Sequence, residues 1–463
     1  MPNHLSNHPA FSAFKAYDIR GRVPQEVNAE LFYSVGTAYT QTVQPKNVAI
    51  GHDIRLSSPQ LASALAEALR DQGVNVTDLG LCGTEEIYYA VGHQGLDGGL
   101  MVTASHNPAD YNGLKMVQAG ARPLTKQQNT KIRDLALAAD SSVQRKQRGA
   151  LKKLDIHGSF IDYVLSLIEL PLLPRLKVVC NAGNGGAGVV LEQLRARLPL
   201  EMIVINGEAD GHFPNGVPNP LLPECRADTA RAVREHHADL GVAWDGDFDR
   251  CFFFDERGRF VEGYYVVGLL AKRFLESTPG ATVIYDPRLT WNTLEIAEAA
   301  QGQAVMSATG HAFIKQAMRD HQAVYGGEMS AHHYFRDFFF CDSGILPWLF
   351  VMELMGRLNQ PLSALVDDMI EKHPISGEIN RRTAEPLPQI LERLRQSVSA
   401  VYGPPLKEDT LDGLSWEYEQ FRFNVRASNT EPLVRLNAET RAGQALLQRV
   451  TQLLLEAIGG ENP

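Results

Sequence analysis

GGLMVTASHNPADYNGLK, residues 98–115, opens as an uninterrupted apolar run from Gly98 to Val102 and breaks at Thr103 into a polar turn. The apolar run reads as a strand. Asn107 precedes Pro108 and is therefore biased away from helical geometry, so it closes a turn that leaves Ser105 and His106 exposed at its mouth. A bare serine hydroxyl is a weak nucleophile and needs a base, a charged neighbourhood or a metal before it reacts. His106 and Lys115 are the nearby candidates. The same residues could instead cap a helix and turn the chain, and later segments have to separate the two readings.

Upstream, strand and helix signals alternate. VAIG (48–51) is strand-like, and Ser57, Ser58 and Pro59 supply cap and first-turn signals for a helix in which Leu61, Leu65 and Leu69 recur at helical spacing until Gly73. VNVTDLG (74–80) reads as another strand. This order predicts a parallel sheet covered by helices, where ligands gather at the carboxyl ends of the strands, and Ser105 stands at such an end. In FKAYDIRG (14–21), Lys15, Tyr17 and Arg20 would serve phosphate oxygens or an ordinary surface equally well. The charged stretch from Lys126 to Lys153 reads as a helix and a connector, which closes a first domain at residues 1–150.

Next come two loops with competing readings. LKVVC is followed by NAGNGGAG, in which Gly183, Gly185 and Gly188 satisfy G-x-G-x-x-G, and Glu208 lies where a dinucleotide fold places its ribose-binding acid. A tight strand-to-helix turn explains the same glycines. In LGVAWDGDFDRCFFF, Asp245, Asp247 and Asp249 follow an apolar strand at alternate positions. Carboxylates that close repel one another unless a cation joins them, and an all-oxygen donor set favours magnesium. A calcium hand shares the spacing, with Glu256 at its twelfth position, but Arg250 stands where that loop needs glycine. A haloacid-dehalogenase-type phosphatase would use Asp245 as its nucleophile and leave TASHNP without a role.

Later apolar runs also end in polar loops. Arg288 follows VIYDP, His311 and Lys315 follow AVMSATG, and AVYGGEMSAHHYF supplies Glu328, Ser330, His332 and His333. A carboxylate and a hydroxyl two residues apart suit adjacent sugar hydroxyls, and histidine can shuttle a proton. His332 and His333 would point to opposite sides of a strand, so they do not share a metal. QFRFNVRA and PLVRLNAE alternate as a strand pair around SNTE, and Arg426, Ser428, Asn429 and Thr430 crowd that loop with the donors a phosphate needs.

Composition bounds the function. At 463 residues and 44% hydrophobic content the chain exceeds one core and predicts several domains. With 44 basic against 54 acidic residues and no basic stripe, nucleic acid is excluded as a partner. The start, MPNHLSNHPAFSAFK, lacks the basic and apolar regions of a secretory signal, and no run is long enough to span a bilayer, so a cytoplasmic protein without a membrane partner is expected. Five scattered cysteines without a CxxC pair read as reduced structural thiols.

TASHNP, DGDFDR, GEMSAHH and RASNTEP, in this order and across nearly the whole chain, resemble the four signature loops of the alpha-D-phosphohexomutases. FKAYDIRG, YNGLK and GGEMSAHHYFRDF are most similar to the bacterial phosphomannomutase branch, which feeds GDP-mannose synthesis; Ala331 stands where other branches carry glycine. The resemblance implies an α/β protein with three similar domains of mixed sheets and a smaller α+β C-terminal domain around a central cleft. The segments would be a phosphoserine domain (1–150), a magnesium-binding domain (151–257), a sugar-recognition domain (258–370) and a phosphate-binding domain (371–463). It further implies that phosphorylated Ser105 donates its phosphoryl group to a hexose 1- or 6-phosphate, giving a hexose 1,6-bisphosphate that turns around, rephosphorylates Ser105 and also serves as activator. Mg2+ would sit on Ser105, Asp245, Asp247 and Asp249. Arg20, His106, Lys115 and His332 would join Ser105 in catalysis, with Lys115 or His332 carrying the proton. Tyr17, Arg250, Arg288, His311, Glu328, Ser330, Arg426, Ser428, Asn429 and Thr430 would bind substrate. The expected reaction interconverts mannose 6-phosphate and mannose 1-phosphate and also accepts glucose phosphates. Phosphoglucomutase as the main activity and a dinucleotide-dependent oxidoreductase are the alternatives.

Overall fold

The structure, a computed structural model, describes residues 8–138, 146–428 and 433–461. They fall into two compact units: one runs through Phe260 and includes His332–Asn359, and the other comprises Val261–Ala331 with the chain from Gln360 onward.

In the first unit, the predicted strand Gly98–Val102 is wholly buried. It lies parallel to Asn47–His52, which is itself parallel to Asn75–Leu81, and antiparallel to Tyr111–Gln118. The strand Ile19–Arg22 adds antiparallel to that last neighbour. The sheet is thus mixed, because the TASHNP turn folds the chain straight back instead of crossing over through a helix. Leu61, Leu65 and Leu69 bury the helix Ser58–Asp71 on this sheet against Val48, Ile50, Leu100 and Val102. Ser57 makes no side-chain cap; Asn112 Nδ2 donates to both Ser57 and Ser58, and Ser58 donates to Asp53 at 2.5 Å. The stretch read as a connector ends differently from the expectation, since Leu151–Lys153 pairs parallel to Asn75–Leu81. It is a three-residue exposed edge strand with no apolar alternation to reveal it.

A second mixed sheet in this unit aligns Glu201–Ile205, Lys177–Asn181 and Leu240–Trp244 in parallel, then Cys251–Phe254 antiparallel. The glycine loop between Lys177–Asn181 and the helix Ala187–Arg195 is filled by its own chain. A Cβ on Gly188 would meet the Gly207 carbonyl at 2.0 Å, one on Gly183 would meet Pro218 at 2.4 Å, and the Gly186 amide donates to the Gly246 carbonyl. Gly188 and Gly183 thus allow close packing against the chain at Gly207 and Pro218, which is the tight-turn reading.

The second unit carries the parallel strands Gln303–Met306, Thr282–Tyr285 and Tyr325–Gly327. It also carries an antiparallel sheet in the order Ile379–Arg382, Leu433–Thr440, Phe421–Ala427, Leu414–Glu417, Lys407–Asp409. The helices Leu387–Tyr402 and Gln444–Ile458 bury Ile390, Leu394, Leu447 and Val450 in one core with Phe423, Val425 and Leu436. No described helix is long and apolar enough to cross a membrane.

Candidate active site

Ser105 is 2% exposed rather than open at the mouth of its turn, and its backbone is left-handed, with φ of 48°. A non-glycine residue there is held by its surroundings. The holder is Arg55, 1% exposed, which donates to the carbonyls of Ser105 (2.9 Å), Asn107 (2.5 Å), Pro108 (2.6 Å) and Tyr111 (2.9 Å) and pairs with Asp53 at 3.3 Å. The Gly246 Cα faces the same loop, because a Cβ on it would meet the Ser105 carbonyl at 2.6 Å.

The loop directs the Ser105 hydroxyl to Asp245 Oδ2 at 2.6 Å. Arg250 Nη2 donates to that hydroxyl at 3.2 Å and to Asp245 at 2.6 Å, and it also bonds His106 Nδ1, which lies 3.0 Å from Ser105 Oγ. Burial, followed by the charge of Arg250, holds the His106 imidazolium well below its ordinary pKa, so the ring is neutral and accepts. Arg20 reaches the same turn through Asn107 Oδ1 at 2.8 Å, and Tyr17 lies half-buried three residues before it.

Asp245, Asp247 and Asp249 are all buried, and each offers an oxygen within 4.8 Å of the others. Lys115 donates to Asp247 at 2.7 Å and to Asp249, while Thr84 donates to Asp247 at 2.6 Å. Burial alone would lower the Lys115 pKa, yet the two carboxylates outweigh it and hold the ammonium charged. Burial would raise Asp247, but Lys115 drives it below the ordinary range; Asp249, pushed by burial and then by Asp247, rises to about 6. Asp247 Oδ1 and Asp249 Oδ1 are buried without a hydrogen-bond partner. Orphaned carboxylate oxygens in an all-oxygen set fit a hard divalent cation, so the residues present suit the ion that the sequence suggests. His332 Nδ1 lies 3.3 Å from Asp342 Oδ2 and 4.0 Å from Asp249 Oδ1, whereas His333 is fully buried in the next strand, so the two histidines do face different surroundings.

A second constellation lies in the other unit. Asp286 accepts from Arg288 at Nε (2.9 Å) and Nη2 (2.8 Å) and from the Met329 amide (2.8 Å), and Arg288 Nη2 also donates to Ser330 Oγ at 3.2 Å. Glu328 accepts from the Gly310 amide at 2.9 Å and lies 3.6 Å from Arg288. Arg288, Glu328 and Ser330 therefore share one surface with the start of the helix His311–Asp320, whose first residue is His311. Burial would lower the Arg288 pKa, but Asp286, Glu328 and Glu378 outweigh it and raise it. Arg426 and Arg435 face each other across the strand pair, and Glu378 bridges them at 2.7 and 3.5 Å. Arg435 also donates to Ser428 Oγ at 3.3 Å. Asn429 and Thr430 lie outside the described residues. Ala331 adopts φ of 70°, the left-handed geometry in which glycine would be unstrained.

Sequence reasoning missed Asp53, Arg55, Thr84, Asp286, Asp342 and Glu378. It also missed Arg422, which donates to the carbonyls of Pro287 (2.9 Å) and Arg288 (3.0 Å) while pairing with buried Glu439 at 3.1 Å. Asp53 and Arg55 directly follow a parallel strand, so the strand-end rule that found Ser105 would have found them.

Comparison with known proteins identifies the family. Models of the phosphoglucomutase/phosphomannomutase alpha/beta/alpha domains I, II and III match residues 12–142, 159–258 and 262–373, and the C-terminal domain model matches 378–457. A phosphomannomutase of Salmonella typhimurium is 52% identical over 96% of this chain and 98% of its own length. One from Escherichia coli K12 is 49% identical over 96% and 98%. The crystal structure of a phosphoglucomutase/phosphomannomutase family protein from Burkholderia thailandensis superposes with a TM-score of 0.86 at 30% identity, covering 98% of this chain and 99% of the other. With the family's four domains matched in order, this chain belongs to the phosphoglucomutase/phosphomannomutase family.

Proposed function

We propose that this protein is a phosphomannomutase that interconverts mannose 6-phosphate and mannose 1-phosphate through phosphorylated Ser105 and a hexose 1,6-bisphosphate, and that it also accepts glucose phosphates. The observation that carries the reading is the Ser105 hydroxyl held at 2.6 Å from Asp245 and 3.2 Å from Arg250, beside two buried carboxylate oxygens with no hydrogen-bond partner. The near-half identity to proteins named phosphomannomutase supports the sugar.

In the first half-reaction the bond between Ser105 Oγ and phosphorus breaks as a sugar hydroxyl oxygen bonds to phosphorus and gives up its proton; in the second, the bond between the other phosphorus and its sugar oxygen breaks as Ser105 Oγ bonds to that phosphorus, and the proton returns to the freed sugar oxygen. Arg250, bonded to Oγ, stabilises the serine oxygen as the bond breaks. His332, with Asp342 to orient its ring, is the proposed proton carrier; Lys115, donating to two aspartates, is better suited to fix them. Asp245, Asp247, Asp249 and the phosphorylated Ser105 would hold Mg2+, which when bound neutralises phosphoryl charge. Glu328 and Ser330 would grip sugar hydroxyls, with Arg288 and His311 beside them. Arg426 and Ser428, with Asn429 and Thr430, would clamp the phosphate that is not reacting, while Tyr17 and Arg20 would border the one that is. The four segments 1–150, 151–257, 258–370 and 371–463 are proposed to carry these tasks in turn, in the cytoplasm. Free hexose 1,6-bisphosphate would activate by rephosphorylating Ser105.

Parallel assays with mannose 1-phosphate, glucose 1-phosphate and glucosamine 1-phosphate, each with Mg2+ and bisphosphate, test the reading. Mannose 1-phosphate should give the highest kcat/KM, with glucose 1-phosphate turned over. Preference for glucose would make phosphoglucomutase the main activity, and turnover of none would reject the proposal.

A further inference from the structure

The arginine group of the second unit contains its own anion. Arg426 and Arg435 are directly opposed in adjacent antiparallel strands, an arrangement that places like charges face to face. Arg288 adds a third guanidinium. The Glu378 carboxylate lies 2.7 Å from Arg426, 3.5 Å from Arg435 and 3.8 Å from Arg288, so one side chain serves three cations. Arg426 and Arg288 are buried, whereas the Glu378 side chain keeps a quarter of its surface exposed. Burial, with repulsion from Arg288, depresses the Arg426 pKa, so this guanidinium gains from any anion that approaches it.

A carboxylate and a phosphate monoester present oxygen atoms to a guanidinium in the same way, but the phosphate has one more oxygen and up to twice the charge. Glu378 directly precedes the strand Ile379–Arg382, on backbone that follows Gly377 with φ of 67°. Its partly exposed side chain can swing away by rotamer change without unpairing that strand.

We infer that Glu378 is an internal stand-in for the substrate phosphate, which closes the arginine group when no sugar phosphate is bound and competes with phosphate for it. This rests on assigning Arg426 and Ser428 to the phosphate clamp. The competition serves the reaction. A bisphosphate has to leave the clamp, turn and return, and a carboxylate that replaces the departing phosphate keeps a negative charge between Arg426 and Arg435 during the turn, while Arg288 keeps its pair with Asp286. An internal competitor that closes the group nine times in ten weakens phosphate binding by about tenfold, because only the open fraction binds.

Titration calorimetry of the full chain with inorganic phosphate, in chelator, tests this on wild type, Glu378→Gln and Arg426→Ala. Glu378→Gln should bind phosphate about tenfold more tightly, with a matching fall in KM for mannose 1-phosphate and a lower kcat as release slows. Glu378→Asp, one methylene shorter, should lie between the two and guards against a glutamine that distorts the site. Arg426→Ala should bind phosphate more weakly than wild type. If Arg426→Ala weakens binding while both Glu378 variants bind no more tightly than wild type, Glu378 is a fixed partner of the arginines and the inference falls. If Arg426→Ala leaves phosphate affinity unchanged, the clamp assignment itself is wrong.

Discussion

The two constellations hold charge in opposite ways. Around Ser105, three buried carboxylates face Lys115 and Arg250, and two carboxylate oxygens stay without hydrogen-bond partners, an arrangement with room for a further cation. Around Arg426, the opposed guanidiniums of Arg426 and Arg435 share one partly exposed carboxylate, that of Glu378, two cations to one anion, while Arg288 nearby has Asp286 as its own partner. The first is fixed by buried hydrogen bonds from Thr84, Lys115, Arg55 and Arg250; the second is closed by a side chain that solvent reaches. A site where bonds are made and broken needs atoms held to a fraction of an ångström, whereas a site that must release and recapture its ligand needs contacts that exchange.

The sharpest way to break this contrast is Ser105→Ala. Turnover should fall by about a thousandfold or more, because the Thr84 hydroxyl at the acidic site is committed to Asp247 at 2.6 Å, while inorganic phosphate affinity at the basic site stays unchanged. Substantial residual mutase activity would remove Ser105 from the chemistry.

Asp247→Asn should lower kcat by roughly 10²–10³-fold and also soften the fold without metal, since Lys115 loses one of its two partners at a cost of about 1–3 kcal/mol. Thermal melting in chelator reads the second effect. An unchanged melting temperature would mean that the aspartates are strained without their cation and gain nothing from Lys115.

Arg55→Met should cut kcat by about a hundredfold with little change in KM, because displacement of the nucleophile by an ångström costs on that order. A rise in KM with kcat preserved would assign Arg55 to binding. Arg426→Ala, acting only at the basic site, should raise KM for both 1- and 6-phosphates by about one to two orders of magnitude, the worth of a charge-assisted contact. An effect confined to one substrate would show that the clamp serves a single orientation.

The smallest effect comes from behind the acidic site. His157 bonds Glu86 at 2.6 Å, and Glu86 accepts from Gly83 beside Thr84. The hydrogen bond to Glu86 raises the His157 pKa above its ordinary 6.5. A raised histidine pKa stabilises the fold fully below the unfolded value and loses that contribution as pH climbs through the folded value. The melting difference between wild type and His157→Gln should therefore be largest near pH 6 and fade by about pH 9. A gap that widens with pH would contradict the assignment.

How far each constellation was legible in the sequence follows from how each is built. Asp245, Asp247 and Asp249 occupy one loop and Ser105 another, each at the end of an apolar strand, so spacing and strand order expose them together. Glu378, Arg422 and Glu439 each stand alone among ordinary neighbours and acquire meaning only when strands far apart in the chain pair. Asp342 takes its place beside His332 through one short antiparallel pair, Tyr334 with Asp342, that no periodicity announces. The mixed sheets were expected from the family resemblance, but the exposed edge strand Leu151–Lys153 was not, for lack of any apolar face to pattern it.

The left-handed backbone at Ser105 reaches beyond geometry. Threonine offers the same hydroxyl, yet its branched Cβ is strained at φ of 48°, where serine is merely uncommon. The loop thus discriminates between two alcohols before any substrate arrives, and it does so by torsion alone. A single added methyl group, uncharged and making no bond to the reacting oxygen, would be refused by the main chain that presents it.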